Sequence, residues 1–147
     1  MYTISEIKQI RLQADVLGLC APASFWELPE SELMKICNGC GPEFFPEWAR
    51  ELADFIYRKY RAAIAIHDVE YEESDGTELH RCEADTNFYE NCLVIWGKRF
   101  GWSRWINPVA LYERRKIRLA YRALYLCGTI AWLAAYHDRK YKGGGND

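Results

Sequence analysis

Ala63-Ile64-Ala65-Ile66-His67-Asp68-Val69-Glu70-Tyr71 and, beyond the turn Ser74-Asp75-Gly76, Ala84-Asp85-Thr86-Asn87-Phe88 are the two stretches on which the fold turns. In the first, apolar residues recur at helical spacing, and the pattern extends back through Tyr60, Ile56, Phe55, Leu52 and Trp48 to Pro46, a residue suited to a first helical turn. A helix is therefore predicted over 46–71. In the second, Asp85, Phe88, Tyr89, Cys92 and Trp96 share one face of a helix starting near Thr77, with Gly97 and Gly101 expected to break it. The short turn makes the two helices antiparallel neighbours.

Two polar residues fall on faces that the spacing assigns to the core, His67 and Asp85. A buried carboxylate is costly unless paired. Counted from the turn at about 1.5 Å per residue, their levels differ by about 4–5 Å, within side-chain reach. Asp85 is thus expected to accept a hydrogen bond from one ring nitrogen of His67, fixing the tautomer and leaving the other nitrogen as a base. Asp68 points about 100° away around the helix, toward the loop Cys37-Asn38-Gly39-Cys40-Gly41-Pro42. Such a loop can turn backbone carbonyls inward, and hard oxygens beside a carboxylate suit calcium.

Outward from this pair the chain reads as helices. Thr3-x-x-Glu6 resembles a capping box ahead of Ile7, Ile10, Ala14 and Leu17, with Gly18 as a stop. A short helix follows Pro29, and Asn107-Pro108 opens a last helix reaching Lys142. Strand-like alternation is nearly missing from the sequence. The expectation is one all-α domain over 1–142, with core 37–96, a basic C-terminal helix 107–142, and a disordered tail 143–147.

Half of the 147 residues are hydrophobic and 15% aromatic, which excludes a disordered chain. The formal net charge of −2 hides a division. Residues 1–97 hold 8 Lys/Arg against 18 Asp/Glu, net −10; residues 98–147 hold 11 against 3, net +8. The N-terminus lacks the cationic lead and apolar run of a signal peptide, and the apolar run Ala123–Tyr136 is short of the roughly 20 residues that span a bilayer. A cytoplasmic location is the default expectation, with release or delivery by a phage or a non-classical export route as the alternative. Reduced thiols follow for Cys20, Cys37, Cys40, Cys82, Cys92 and Cys127. Cys37-Asn38-Gly39-Cys40 lacks the second pair that a structural zinc site wants, so small buried groups or a local staple is the simpler reading.

In order, the glycine loop, His67-Asp68-x-x-Tyr71 and Ala84-Asp85-x-x-Phe88 resemble the phospholipase A2 superfamily, in the compact disulfide-free branch found in phage, bacterial and parvovirus proteins. The resemblance covers about Cys37 to Trp96. It implies a core of two antiparallel helices with a glycine-containing calcium loop and flanking helices. It further implies calcium-dependent hydrolysis of a glycerophospholipid acyl ester. In it His67 would deprotonate a water, Asp85 would orient His67, and Tyr71 would brace Asp85. Asp68, with the carbonyls of Cys37, Gly39 and Gly41, would hold Ca2+. The partner implied is a phospholipid membrane surface or micelle. The sequence departs from secreted members at Ala63 and Ala65, which stand near the positions of their paired cysteines, and in its shorter loop.

Other readings compete. His137-Asp138-Arg139-Lys140-Tyr141 repeats the pentad without a glycine loop before it or a core Asp after it, and reads as a solvated helix end. A catalytically silent scaffold would keep the helices without the chemistry. Arg114, Arg115, Lys116 and Arg118 read first as a plain solvated face, with contact to anionic lipid as the alternative, and Phe100-Gly101-Trp102-Ser103-Arg104-Trp105 reads equally as core packing or an interfacial aromatic loop. A nucleic-acid-binding accessory protein using residues 98–122 is the third reading. It is the less favoured partner class, because no aromatics are interleaved at a suitable spacing.

Overall fold

The computed structural model describes residues 2–37 and 58–142, with side chains to residue 126. Among these residues the chain is all-α, with no strand. Its elements are α1 (Ile4–Leu17), α2 (Ala23–Glu27), α3 (Glu30–Ile36), α4 (Arg61–Glu72), α5 (Glu78–Phe100), a 3-10 helix (Gly101–Trp105) and α6 (Pro108–Lys142). The predicted glycine loop from Asn38 onward, Gly39 and Gly41 included, and the tail 143–147 lie outside the described residues. So do the side chains of the second pentad, although α6 runs through it as helix.

Local chemistry sets the helix ends. Thr3 and Glu6 form the expected capping box: the Thr3 hydroxyl accepts from Glu6 N at 3.2 Å, and Glu6 accepts from Thr3 N at 2.8 Å. Gly18 then ends α1 in the left-handed region, at φ 63°, where a side chain would be strained. Thr77 caps α5, its hydroxyl accepting from His80 N, and Asp75 in turn accepts from Thr77 N at 2.8 Å.

Three expectations change. Gly97 does not break α5, which continues to Phe100 and stops at Gly101, at φ 55°. Of the helix expected over 46–71, residues 46–57 lie outside the described residues; within the rest, Tyr60 interrupts it, with ψ 26°, and serves as the N-cap of α4. The partner of this bend lies far along the chain. Glu113 of α6, 1% exposed, is bonded by the Tyr60 hydroxyl at 3.2 Å and by Lys59, with Arg99 at 3.7 Å. The bend at Tyr60 lets two successive side chains meet that one carboxylate. The five-residue α2 was not expected, since it has too few turns to show a period.

α4 and α5 form the antiparallel hairpin and α6 lies along α5, tied by Trp96 Nε1 donating to Ala110 O at 2.8 Å. α1 and α3 pack on the other side of α4, burying Ile7, Ile10, Ala14 and Leu33 against Ala62, Ala65 and Ile66. Two polar clamps fix this arrangement. Arg11 donates to Phe25 O at 2.9 Å and to Leu28 O, and the buried Asn91 amide bonds both the N and the O of Cys20 at 2.9 and 2.8 Å. Removing a buried charge partner costs several kcal/mol. Glu113→Ala is therefore expected to lower stability by about 3 kcal/mol, a fall in Tm of roughly 6–12 °C for a chain of this size. A calorimetric Tm within 2 °C of wild type would exclude Glu113 as the tie between residues 59–60 and α6.

Candidate functional site

The geometry begins with Asp85, on α5 and fully buried. Desolvation disfavours an unpaired carboxylate there, so its oxygens must be bonded. His67 Nε2 lies 3.0 Å from Asp85 Oδ1, and the Tyr71 hydroxyl donates to that same oxygen at 2.6 Å. Arg81, one helical turn before Asp85 and 1% exposed, donates to Oδ2 at 2.7 Å. Its other nitrogens reach Glu78, and its guanidinium lies 5.5 Å from the Tyr125 ring centroid. The structure thus brings together His67, Tyr71 and Asp85, the three residues singled out from the sequence, and adds Arg81. Arg81 is missed in the sequence because a charged residue reads as solvent-facing. The available signal is its i,i+4 spacing to a core aspartate.

The His67 ring is held by packing as well as by its bond. Tyr71 and Phe88 lie 4.1 and 5.3 Å from it, centroid to centroid. The ring is 8% exposed, and Nδ1 has no hydrogen bond to another described residue. With Nε2 donating to Asp85, Nδ1 carries the free lone pair. Burial pushes the Tyr71 hydroxyl well above the ordinary phenol range, and its bond to Asp85 adds to this, so it stays protonated and donates.

Asp68, next on α4, does not join that cluster. Its Oδ2 is buried with no hydrogen-bond partner among the described residues, and burial raises its carboxyl to about 6, opposed by the His67 charge. It is close enough to Cys37, at the end of α3, to raise that thiol further; burial is the main cause, and the thiol reaches about 12. Cys37 is a free, fully buried thiol whose Sγ lies 3.5 Å from Ala65 O, so it is neither half of a staple nor a thiolate. Glu70, raised by burial to about 7, accepts from Asn87 through one oxygen and leaves Oε2 without a partner.

A calcium ion is suited by one buried, unpartnered carboxylate beside a chain segment able to turn carbonyls inward. Asp68 Oδ2 is such an oxygen, and Cys37 begins that segment; Gly39 and Gly41 lie outside the described residues. Among the described residues no three His, Cys, Asp or Glu side chains group to hold a metal, and a site of this kind would not need them. Also among them, no helix is long and apolar enough to cross a membrane. No protein family, curated protein or solved structure matches the chain.

The raised Asp68 carboxyl has a signed consequence. In the unfolded chain it ionises near 3.8, in the fold near 6. It costs nothing below pH 4, a growing amount between pH 4 and 6, and a constant amount above. In metal-free buffer, Asp68→Asn is expected to raise stability at pH 7.5 by up to about 2 kcal/mol, with the gain vanishing near pH 4. Thermal melts across that range provide the check. A variant less stable than wild type at pH 7.5 would mean that the carboxylate has a partner.

Proposed function

We propose that the chain hydrolyses an acyl ester of a glycerophospholipid, calcium-dependently, with a water activated by His67. The observation that supports this best is a buried His67 held through Nε2 by Asp85, with Nδ1 unbonded, beside a buried Asp68 oxygen that lacks a partner. A dyad of this form acts on water in two proton transfers. Nδ1 takes a proton as the hydroxide adds to the ester carbonyl carbon, and Asp85 stabilises the imidazolium that forms. The same nitrogen then returns the proton to the departing alcohol oxygen as the carbon–oxygen bond breaks, yielding a fatty acid and a lysophospholipid. Tyr71 and Arg81 keep Asp85 from turning away during both transfers. Asp68 and the carbonyls of Cys37, Gly39 and Gly41 are the groups proposed to hold calcium, which when bound supplies positive charge for the phosphate and the developing oxyanion.

A second reading, a silent scaffold, draws on Arg81. A carboxylate already balanced by a buried guanidinium is complete as a structural tie and needs no chemistry at His67. Fatty-acid release from mixed phosphatidylglycerol and detergent micelles separates the two. Hydrolysis is expected with millimolar calcium and not with chelator, and His67→Gln is expected to lower the rate by about 10²–10⁴. Asp85→Asn is expected to fall in the same range, with lost stability that His67→Gln does not share. No release by wild type, or release unchanged in His67→Gln, would leave the scaffold.

A further inference from the structure

Folding sharpens the basic character of the C-terminal third. Between Gly101 and Leu126 the only acidic residue is Glu113, and it is turned inward. Arg115, Arg118 and Arg122 are exposed on the outer face of α6. Between them the same face exposes Tyr112, Leu119 and Leu126, at the three- and four-residue steps that align side chains along a helix. Where the helix begins, the 3-10 turn adds Trp102 at 81% exposure, Trp105 at 57% and Ile106 at 71%. Single exposed apolar residues need no explanation, but a run of them interspersed with arginines does.

Two arginines at this corner are unusual in their partners. Arg104 lies 5.1 Å and Arg114 5.5 Å from the Trp105 ring centroid, and Arg114 also lies 5.5 Å from that of Trp96. The Nε of each is buried without a hydrogen-bond partner, and neither forms an ion pair among the described residues. Gly97 makes room for this: a Cβ there would meet Arg104 Nη1 at 3.3 Å. The α5 glycine that seemed a helix breaker in the sequence is thus a point of close approach. Two guanidiniums held against an indole, with charge unspent, suit a phosphate oxygen.

A nucleic acid would use the cations but not Ile106, Leu119 or Leu126, since aliphatic side chains gain nothing against a phosphate backbone. An anionic bilayer uses both: arginines at the headgroups, tryptophan at the boundary, aliphatic groups below it. We propose that the 3-10 turn and the outer face of α6 dock on an anionic phospholipid surface, Trp102, Trp105 and Ile106 entering the interface while Arg104 and Arg114 receive a headgroup phosphate. Tyr125, also exposed on α6, lies against the Arg81 that holds Asp85. This goes beyond the hydrolytic reading and stands without it, because the surface lies outside the His67–Asp85 hairpin.

The test is co-sedimentation of the full chain with vesicles of phosphatidylcholine, alone or with about a third phosphatidylglycerol, with tryptophan emission recorded alongside. Affinity for the anionic vesicles is expected to be at least about tenfold higher, with a blue shift of the emission. The exposed pair Trp102→Ala with Ile106→Ala is expected to weaken binding about tenfold, and Arg115→Glu with Arg118→Glu to remove the anionic preference, each with an unchanged far-ultraviolet spectrum. His67→Gln is expected to bind as wild type. No binding, equal binding to both vesicles, or variants that bind as wild type would overturn the proposal. So would tighter binding to a short DNA duplex that weakens steeply with salt. Docking without hydrolysis would defeat only the enzymatic reading, and hydrolysis of micelles without docking only this one.

Discussion

A carboxylate removed from water is the constraint around which this molecule is arranged. Asp85 sits at full burial on α5, and at that depth an ionised group persists only with near-complete hydrogen bonding. Its three donors come from two helices: His67 and Tyr71 from α4, Arg81 from its own. Those bonds set the register of the hairpin, because a shift of one residue in either helix would remove at least two of them. The hydrogen-bonded state of His67 follows from the same demand. An imidazole placed against a carboxylate by the need to satisfy that carboxylate is also an imidazole with one nitrogen committed and one free. Structural and chemical roles are here the same geometry, which is why the Arg81 bond matters for choosing between them.

How much of this was legible in the sequence depends on the range of the interaction. The Thr3–Glu6 cap, the Gly18 stop and the Thr77 start are local, and the sequence reading and the structure agree on them. His67 and Asp85 were legible at longer range because the turn is short: helical rise alone puts them at similar levels, and burial makes an unpaired carboxylate untenable. Tyr60 was not. No proline or glycine beside it marks a break; its hydroxyl bonds Glu113, more than fifty residues later, whose burial has no local signature. Gly97 failed for the opposite reason. Its local propensity is real, but the packing of α5 overrides it, and its purpose is room for a side chain from the following turn. The glycine loop on which a calcium site would depend lies outside the described residues, so that part of the sequence reading remains a proposal.

The two buried acids, Asp85 and Glu113, answer the same physical problem with different outcomes. Each is surrounded by cations and a tyrosine hydroxyl, one in the hairpin and one where residues 59–60 meet α6. Around Glu113 the donors are Lys59, Tyr60 and Arg99, with no titrating base among them, and the cluster serves as a tie. Around Asp85 one donor is an imidazole, and only that difference of donor type gives the cluster a second ring nitrogen, Nδ1, with no bond to another described residue. The difference between a tie and a candidate active site is thus one residue in the shell of a buried carboxylate.

The charge division along the chain acquires a spatial meaning through the same two residues. In the acidic stretch, Asp68 and Glu70, on different sides of α4, each keep an oxygen with no partner among the described residues, and burial holds both carboxyls well above their ordinary range. Between Gly101 and Leu126 the one acid, Glu113, is drawn inward by Lys59 and Tyr60, and the exposed side chains of that stretch are cationic or apolar. Burying Glu113 therefore does two things at once: it ties the last helix to residues 59–60, and it keeps the exposed surface of 101–126 free of negative charge.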